Sequence, residues 1–236
     1  MRRLARIRRL RRRRTLCAAL RLARRALVAL AAACVLWVLA YRWIDPPTTP
    51  YMLAEAWRLG GVEHEWVPIS AMSEWVPLAA AAAEDSGFCG HWGFDFAAIR
   101  AAWSETHRLR GGSTISQQVA KNAFLWQGRS WLRKGLEAGF TLLVELLWPK
   151  RRIMEVYLNI IEMDEGAFGI AAAARRYFGK EPARLTPREA ALIASLLPDP
   201  RRWDAARPTG YLSRRARAVE QGATTLKADG RAACFL

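Results

Sequence analysis

Residues 80–95 read Ala-Ala-Ala-Ala-Glu84-Asp85-Ser-Gly-Phe88-Cys-Gly-His91-Trp-Gly93-Phe-Asp95, a run of small apolar residues that delivers abruptly into two acids and a glycine-rich, aromatic turn. Alanines in succession suit a helix packed closely on its neighbours. Acids at the end of such a helix sit half against an apolar wall, where desolvation raises a carboxyl pKa toward the range useful for proton transfer. Glu84 is therefore the candidate base. A solvated helix end, with His91 and Asp95 as local hydrogen-bond partners, explains the same residues without any chemistry.

The next polar cluster is Gly111-Gly112-Ser113-Thr114-Ile115-Ser116-Gln117-Gln118-Val-Ala-Lys121-Asn122. Two glycines free the backbone, and the Thr-x-x-Gln pattern opens a helix whose first amides are unpaired donors, a ready anion site. Gln117 and Lys121 are four apart and share one helix face. Arg129, Arg133 and Glu137 follow at spacings of four, with Lys134 adjacent. They read either as an ordinary surface ion pair or as a cationic clamp for a phosphate beside a second carboxylate.

Helical periodicity recurs over Ser130–Leu147, Arg152–Ile161, Gly169–Phe178 and Thr186–Leu197. The last opens with a cap, a proline at the first helical position and a glutamate at the third, a strong helix start. β-like stretches such as Trp66-Val-Pro-Ile69 are few, so residues 51–236 are read as one mainly α domain. Trp92, Trp103, Trp126, Trp131 and Trp148 are read first as core. The stretch Phe94–Trp103 is the candidate for an amphipathic surface dipped into a bilayer. No reading attaches to Arg214–Leu236.

Lys and Arg number 37 against 21 Asp and Glu, a formal charge of +16, which suggests a nucleic-acid partner until its placement is considered. Thirteen arginines lie within the first 44 residues and the first acid is Asp45, leaving 24 bases against 21 acids beyond them. From Ala26 to Tyr41 there is no charge, and if Arg42 snorkels, the apolar span covers residues 26–44. At 1.5 Å per residue that span reaches about 28 Å, close to a bilayer's hydrocarbon thickness. The arginines of the tail, residues 1–25, then place that end in the cytoplasm and the rest outside. The bulky residues closing the run argue against cleavage as a signal peptide. Residues 45–50, rich in proline, form a stiff linker. Anionic lipid and topology account for the tail, and no nucleic acid is called for. With 52% hydrophobic residues the chain is not disordered, and its length beyond the linker suits a single domain. Of four cysteines, Cys17 and Cys34 fall in the N-terminal region. Only a Cys89–Cys234 bridge stays open, and nothing beyond an oxidising compartment favours it.

EDxxFxxHxGxD at Glu84–Asp95, GGSTISQQ with KN at Gly111–Asn122, RKxxE at Arg133–Glu137 and EVYLN through YFGK at Glu155–Lys180 together resemble the motifs of the peptidoglycan glycosyltransferases. These are the monofunctional biosynthetic transglycosylases, whose domain also forms the N-terminal half of class A penicillin-binding proteins. The resemblance runs from the linker to about Tyr211. No transpeptidase SxxK or KTG triplet is present.

The resemblance implies a mainly α, lysozyme-like domain behind a single transmembrane helix in the bacterial cytoplasmic (inner) membrane. It implies polymerisation of lipid II into β-1,4-linked glycan with release of undecaprenyl pyrophosphate. Glu84 would be the general base and Glu137 the second acid. Lys121, Arg129, Arg133 and Lys134 would hold the pyrophosphate, while Asp85, Ser113, Thr114, Gln117 and Gln118 would shape the groove. Gly93, Gly111 and Gly112 would serve the backbone. An inverting displacement needs no protein nucleophile. The family often uses Mg2+ or Mn2+, but the residues form no metal site of their own and no cofactor is required. The partners implied are lipid II, the growing strand, the bilayer and other cell-wall synthesis or division proteins. A lysozyme-like hydrolase is the main alternative, and it would not need the cations. A non-enzymatic membrane scaffold is a third. One departure from the family pattern falls at Met163-Asp164-Glu165-Gly166, where Asp164 stands in a turn that a glycine would make freely.

Overall fold

The computed structural model describes residues 2–96, 100, 112–128 and 130–236, with side chains from Cys17 onward. It divides into two compact units, residues 1–43 and Ile44–Leu236. The first is the single helix α1, Arg2–Ala40. Its portion Cys17–Ala40 is the one described helix long and apolar enough to cross a membrane. The helix closes at Ala40, short of the expected Ile44, and Tyr41–Trp43 form a turn ahead of Asp45-Pro46-Pro47.

The second unit is mainly α. Its helices are α2 (Pro50–Leu59), α3 (Trp75–Glu84), α4 (Ile115–Phe124), α5 (Trp131–Leu147), α6 (Lys150–Ile160), α7 (Gly169–Phe178), α8 (Pro187–Leu196) and α9 (Gly210–Ala228). The periodic segments of the sequence thus fold as helices within a residue or two of their expected ends. Ser130 caps α5 by accepting from the Arg133 amide, and Thr186 with Glu189 forms a capping box on α8. Three short strands, β1 (Glu63–His64), β2 (Glu162–Asp164) and β3 (Ala167–Phe168), pair in the order β1-β3-β2. Trp66–Pro68 is not a strand, and Ile69 opens a 3-10 turn. The Asn159 side chain satisfies the Val67 amide (2.8 Å) and carbonyl (2.9 Å) in place of a ladder.

Helix α3 is apolar nearly all round, with Val76, Leu78, Ala79, Ala80 and Ala81 buried, because it packs against both α8 and α9. On α9 the buried residues are Leu212, Ala216, Val219, Ala223 and Leu226, a spacing of four, three, four and three that makes one stripe. Helix α4 packs on α5 and α6, with the Phe124 and Phe140 rings stacked at 5.0 Å.

Two expectations need correction. No described residue other than glycine has a positive φ, so Asp164 is not left-handed. It ends β2, and Gly166 (φ 69°) makes the turn, at a point where a Cβ would meet Leu59 at 2.8 Å. The disfavoured bridge, Cys89–Cys234, is present. Around it Phe235 lies 5.9 Å from the Phe88 ring, and Arg151 donates to the Phe235 carbonyl at 3.0 Å. The C-terminal stretch is therefore a helix and an arm that close over the turn Phe88–Gly90.

The bridge closes a loop with a sequence separation of 145. Chain entropy alone makes such a link worth up to about 5 kcal/mol, and measured values run lower. Replacing both cysteines by serine is expected to lower Tm by roughly 10 °C in a circular-dichroism melt. An unchanged Tm would mean that the arm's packing holds without the bond.

Candidate active site

The chain leaves α3 at Glu84 and turns at Asp85, whose carboxylate is buried. One Asp85 oxygen accepts the amide of Ile115, the first residue of α4, at 3.0 Å. The other meets His91 Nε2 at 2.9 Å. His91 Nδ1 accepts the Gly93 amide at 3.2 Å, so the ring proton sits on Nε2 and points at Asp85. The first turn of α4, which the sequence offered as a site for a substrate anion, is filled by the protein's own carboxylate.

Thr114 and Gln117 complete that joint. The Thr114 hydroxyl donates to the Gly93 carbonyl (2.7 Å) and accepts the Gln117 amide (3.2 Å), while Gln117 Oε1 accepts the Thr114 amide (2.9 Å). Asp85, Thr114 and Gln117, expected to shape a groove, hold the start of α4 against the segment that follows α3. Ser113 is half-buried just ahead of the cap. Gly93 (φ 80°) is forced, since a Cβ there would lie 2.7 Å from the Thr141 methyl. Behind the joint, buried Glu145 accepts from Ser116 and pairs with Lys150 at 2.8 Å, and Lys150 also donates to the His91 carbonyl at 2.7 Å.

Glu84 differs from its neighbour. One oxygen accepts from Gln118 Nε2 at 2.9 Å, and the other lies 3.8 Å from the Arg215 guanidinium. Burial pushes this carboxyl above its ordinary range; Gln118 and then Arg215 pull it back, and Asp85 adds a small push. The fully buried Tyr157, whose own pKa burial raises, has its hydroxyl 3.4 Å from Gln118 Oε1, which turns the amide nitrogen toward Glu84. Arg215 belongs to the stretch that yielded no reading from sequence. Its Nε is buried without a hydrogen-bond partner among the described residues. The helical stripe of α9 was the available signal, but it says nothing of which arginine turns inward.

One turn beyond Gln118 on α4 stands Lys121. Buried Glu137 on α5 is held by Arg133 at 2.7 Å and Lys134 at 2.5 Å. These are not the exposed surface pair that was one sequence reading. Arg133 also donates to the Gly128 carbonyl at 2.7 Å. Burial holds the Lys121 ammonium below its ordinary pKa; Glu137 opposes this, and Arg133 and Lys134 add to it. Arg129 and Gly111 lie outside the described residues. No set of three His, Cys, Asp or Glu side chains converges among the described residues. Both oxygens of Asp85 and of Glu137 are already engaged by protein donors, so these carboxylates are not arranged to hold a divalent cation.

The tryptophans divide. Trp148 is core, whereas Trp92, Trp126 and Trp131 are exposed, Trp131 at 93%. Trp103 and most of Phe94–Trp103 lie outside the described residues, although Phe96 is exposed.

Residues 52–224 match the family described as Transglycosylase. The chain belongs to this family. It is 51% identical over 211 residues to the biosynthetic peptidoglycan transglycosylase of Jannaschia sp. (strain CCS1), covering 89% of this chain and 88% of that protein. The protein of the same name from Rhodospirillum centenum is 50% identical over 223 residues, covering 92% and 96% respectively. A third, from Caulobacter vibrioides, is 46% identical over 203 residues, covering 85% and 89%. The transglycosylase match contains Glu84, Lys121, Glu137 and Arg215 and ends inside α9, ahead of Cys234.

Removing the Asp85 carboxylate strands a buried helix-terminal amide and a half-buried imidazole. Asp85→Ala is expected to cost about 2–3 kcal/mol, read from the urea midpoint. A change within 0.5 kcal/mol would show that α4 does not depend on this cap.

Proposed function

We propose that this transglycosylase is a peptidoglycan glycosyltransferase that polymerises lipid II. In this reading Glu84 takes the proton from the acceptor sugar's 4-hydroxyl as that oxygen attacks the anomeric carbon of the growing chain. The bond from that carbon to the pyrophosphate breaks, and undecaprenyl pyrophosphate leaves with the bonding electrons. An α-linked donor becomes a β-linked product by one displacement, with no glycosyl-enzyme.

The observation that carries the reading is helix α4. On a single rigid element, Gln118 holds the desolvated Glu84 while Lys121, one turn later, stands in the field of Glu137, Arg133 and Lys134. A half-buried ammonium with no hydrogen bond or ion pair among the described residues suits a leaving group that gains negative charge in the transition state. The Glu137 carboxylate fixes Arg133 and Lys134 beside it. A lysozyme-like hydrolase also places a desolvated glutamate in a helical domain, but nothing in its reaction calls for this second group.

Helix α1 is read as a single membrane crossing in the inner membrane, with its arginine-rich end in the cytoplasm and the catalytic unit on the periplasmic side. The exposed Trp131 and Leu132 at the start of α5 suit contact with the bilayer in which lipid II resides.

Purified protein given lipid II should make glycan strands. Glu84→Gln should lower the rate by roughly 10²–10⁴-fold. Strand cleavage without polymerisation would sink the transferase in favour of the hydrolase. Lys121→Ala should lose roughly 10²–10³-fold in kcat with its circular-dichroism spectrum unchanged, and full activity would remove it from the leaving-group site.

The pH dependence follows from Glu84. The base must be ionised, and burial raises its pKa, so the acid limb of kcat/KM should lie above that of an ordinary glutamate. Arg215 favours the ionised form, so Arg215→Ala should move that limb to higher pH, and Arg215→Lys should move it less. A limb that stays in place in Arg215→Ala would separate Arg215 from the base.

A further inference from the structure

The loop between α8 and α9 folds back toward α7 and the end of β2, where it lines an open cavity of about 410 Å3. That volume is within the usual range for small-ligand sites. Two of its arginines are neutralised by the fold. Arg176 is held by Asp164 (3.0 Å) and Glu63 (2.7 Å), and Arg201 by Glu162 (3.0 Å) and Glu55 (3.1 Å).

The other two, Arg202 and Arg207, have side chains 80% and 89% exposed. Each has only a local acid three residues away, Asp199 at 3.5 Å and Asp204 at 3.0 Å. Exposed pairs of this kind are weak, so an incoming carboxylate displaces them readily. The rim is nevertheless shaped. Asp204 accepts the amides of Ala206 (2.8 Å) and Arg207 (3.2 Å), and Ala205 is buried beneath. Between the two arginines Trp203 is half-buried, its ring 5.7 Å from Tyr211, and Tyr177 adds a second aromatic side chain to the lining.

Guanidinium groups bind carboxylates in a two-pronged geometry, and a flat aromatic surface covers the apolar side of a small ring or side chain. Neither the two exposed arginines nor the tryptophan between them has a task in the proposed sugar transfer. We propose that this cleft binds the carboxylate-bearing peptide portion of the glycan strand, holding the polymer at a place separate from the reacting atoms. The proposal rests on the transferase reading for the identity of the polymer.

The test uses the full chain in detergent and GlcNAc–MurNAc-pentapeptide freed of its lipid and pyrophosphate, with binding measured by calorimetry. Wild type should bind, and the double variant Arg202→Ala with Arg207→Ala should bind at least ten-fold more weakly. GlcNAc–MurNAc without the peptide, which keeps one lactyl carboxylate but lacks the peptide's carboxylates and side chains, should bind at least ten-fold more weakly. The double variant should polymerise lipid II at the wild-type initial rate but release shorter strands. Unchanged binding in the variant, equal binding of the peptide-free sugar, displacement by equimolar inorganic phosphate, or unaltered strand length would each overturn the proposal. Wild type that binds the glycopeptide yet never polymerises lipid II would refute the transferase reading and leave the cleft standing.

Discussion

The Asp85 carboxylate is the joint on which the site depends. It caps α4 through a buried bond to the Ile115 amide and fixes the His91 imidazole through a part-buried one. A charged acceptor at a helix N-terminus gains from the unpaired amides and from the helix dipole. Because Asp85 directly follows Glu84, anchoring it also fixes the last turn of α3. Gln118, on the first turn of the helix that Asp85 caps, is then held opposite Glu84. One buried carboxylate with no proposed part in proton transfer thus sets the geometry of the carboxylate that has one.

Three acids in this region meet three different fates, and their surroundings explain the difference. Asp85 is buried but has two strong donors, and Glu137 is buried with two cations; each has a local partner for every oxygen. Glu84 has one neutral amide and one distant guanidinium, and the desolvation that raises its pKa outweighs them. A proton acceptor must be under-satisfied to be useful, and an anchor must not be. The same logic separates the cations. Arg133 and Lys134 are tied to Glu137, while Lys121 has no ion pair among the described residues.

Much of this was legible in the chain. Periodicity located α5 to α8, and caps marked the starts of α5 and α8, where the Ser130 and Thr186 side chains accept amides of the first turn. Sequence also picked out Glu84 and the cationic spacing after Lys121. What it missed was long-range. The capping role of Asp85 depends on a helix start 30 residues away, and the same residues in sequence read as well for a groove. Arg215 and Cys234 reach the site from the far end of the chain only because α9 packs on α3. Trp92, Trp126 and Trp131 are exposed, which residue type alone did not show.

The charge of the chain shows why location outweighs totals. The arginines before the apolar helix carry most of the +16, but in water at physiological salt each is screened within about 8 Å. Their effect is confined to the side of a membrane on which they stay. Lys121 is a single charge, yet it is half-buried, and the same Coulomb interaction is several-fold larger where water is excluded. Burial holds its pKa below the ordinary lysine range. An arriving pyrophosphate would supply the missing counter-charge, and would be held most tightly when its own charge is greatest, as the glycosidic bond breaks. A site built in this way favours the transition state over the bound substrate, which a larger but solvated cluster of arginines could not do.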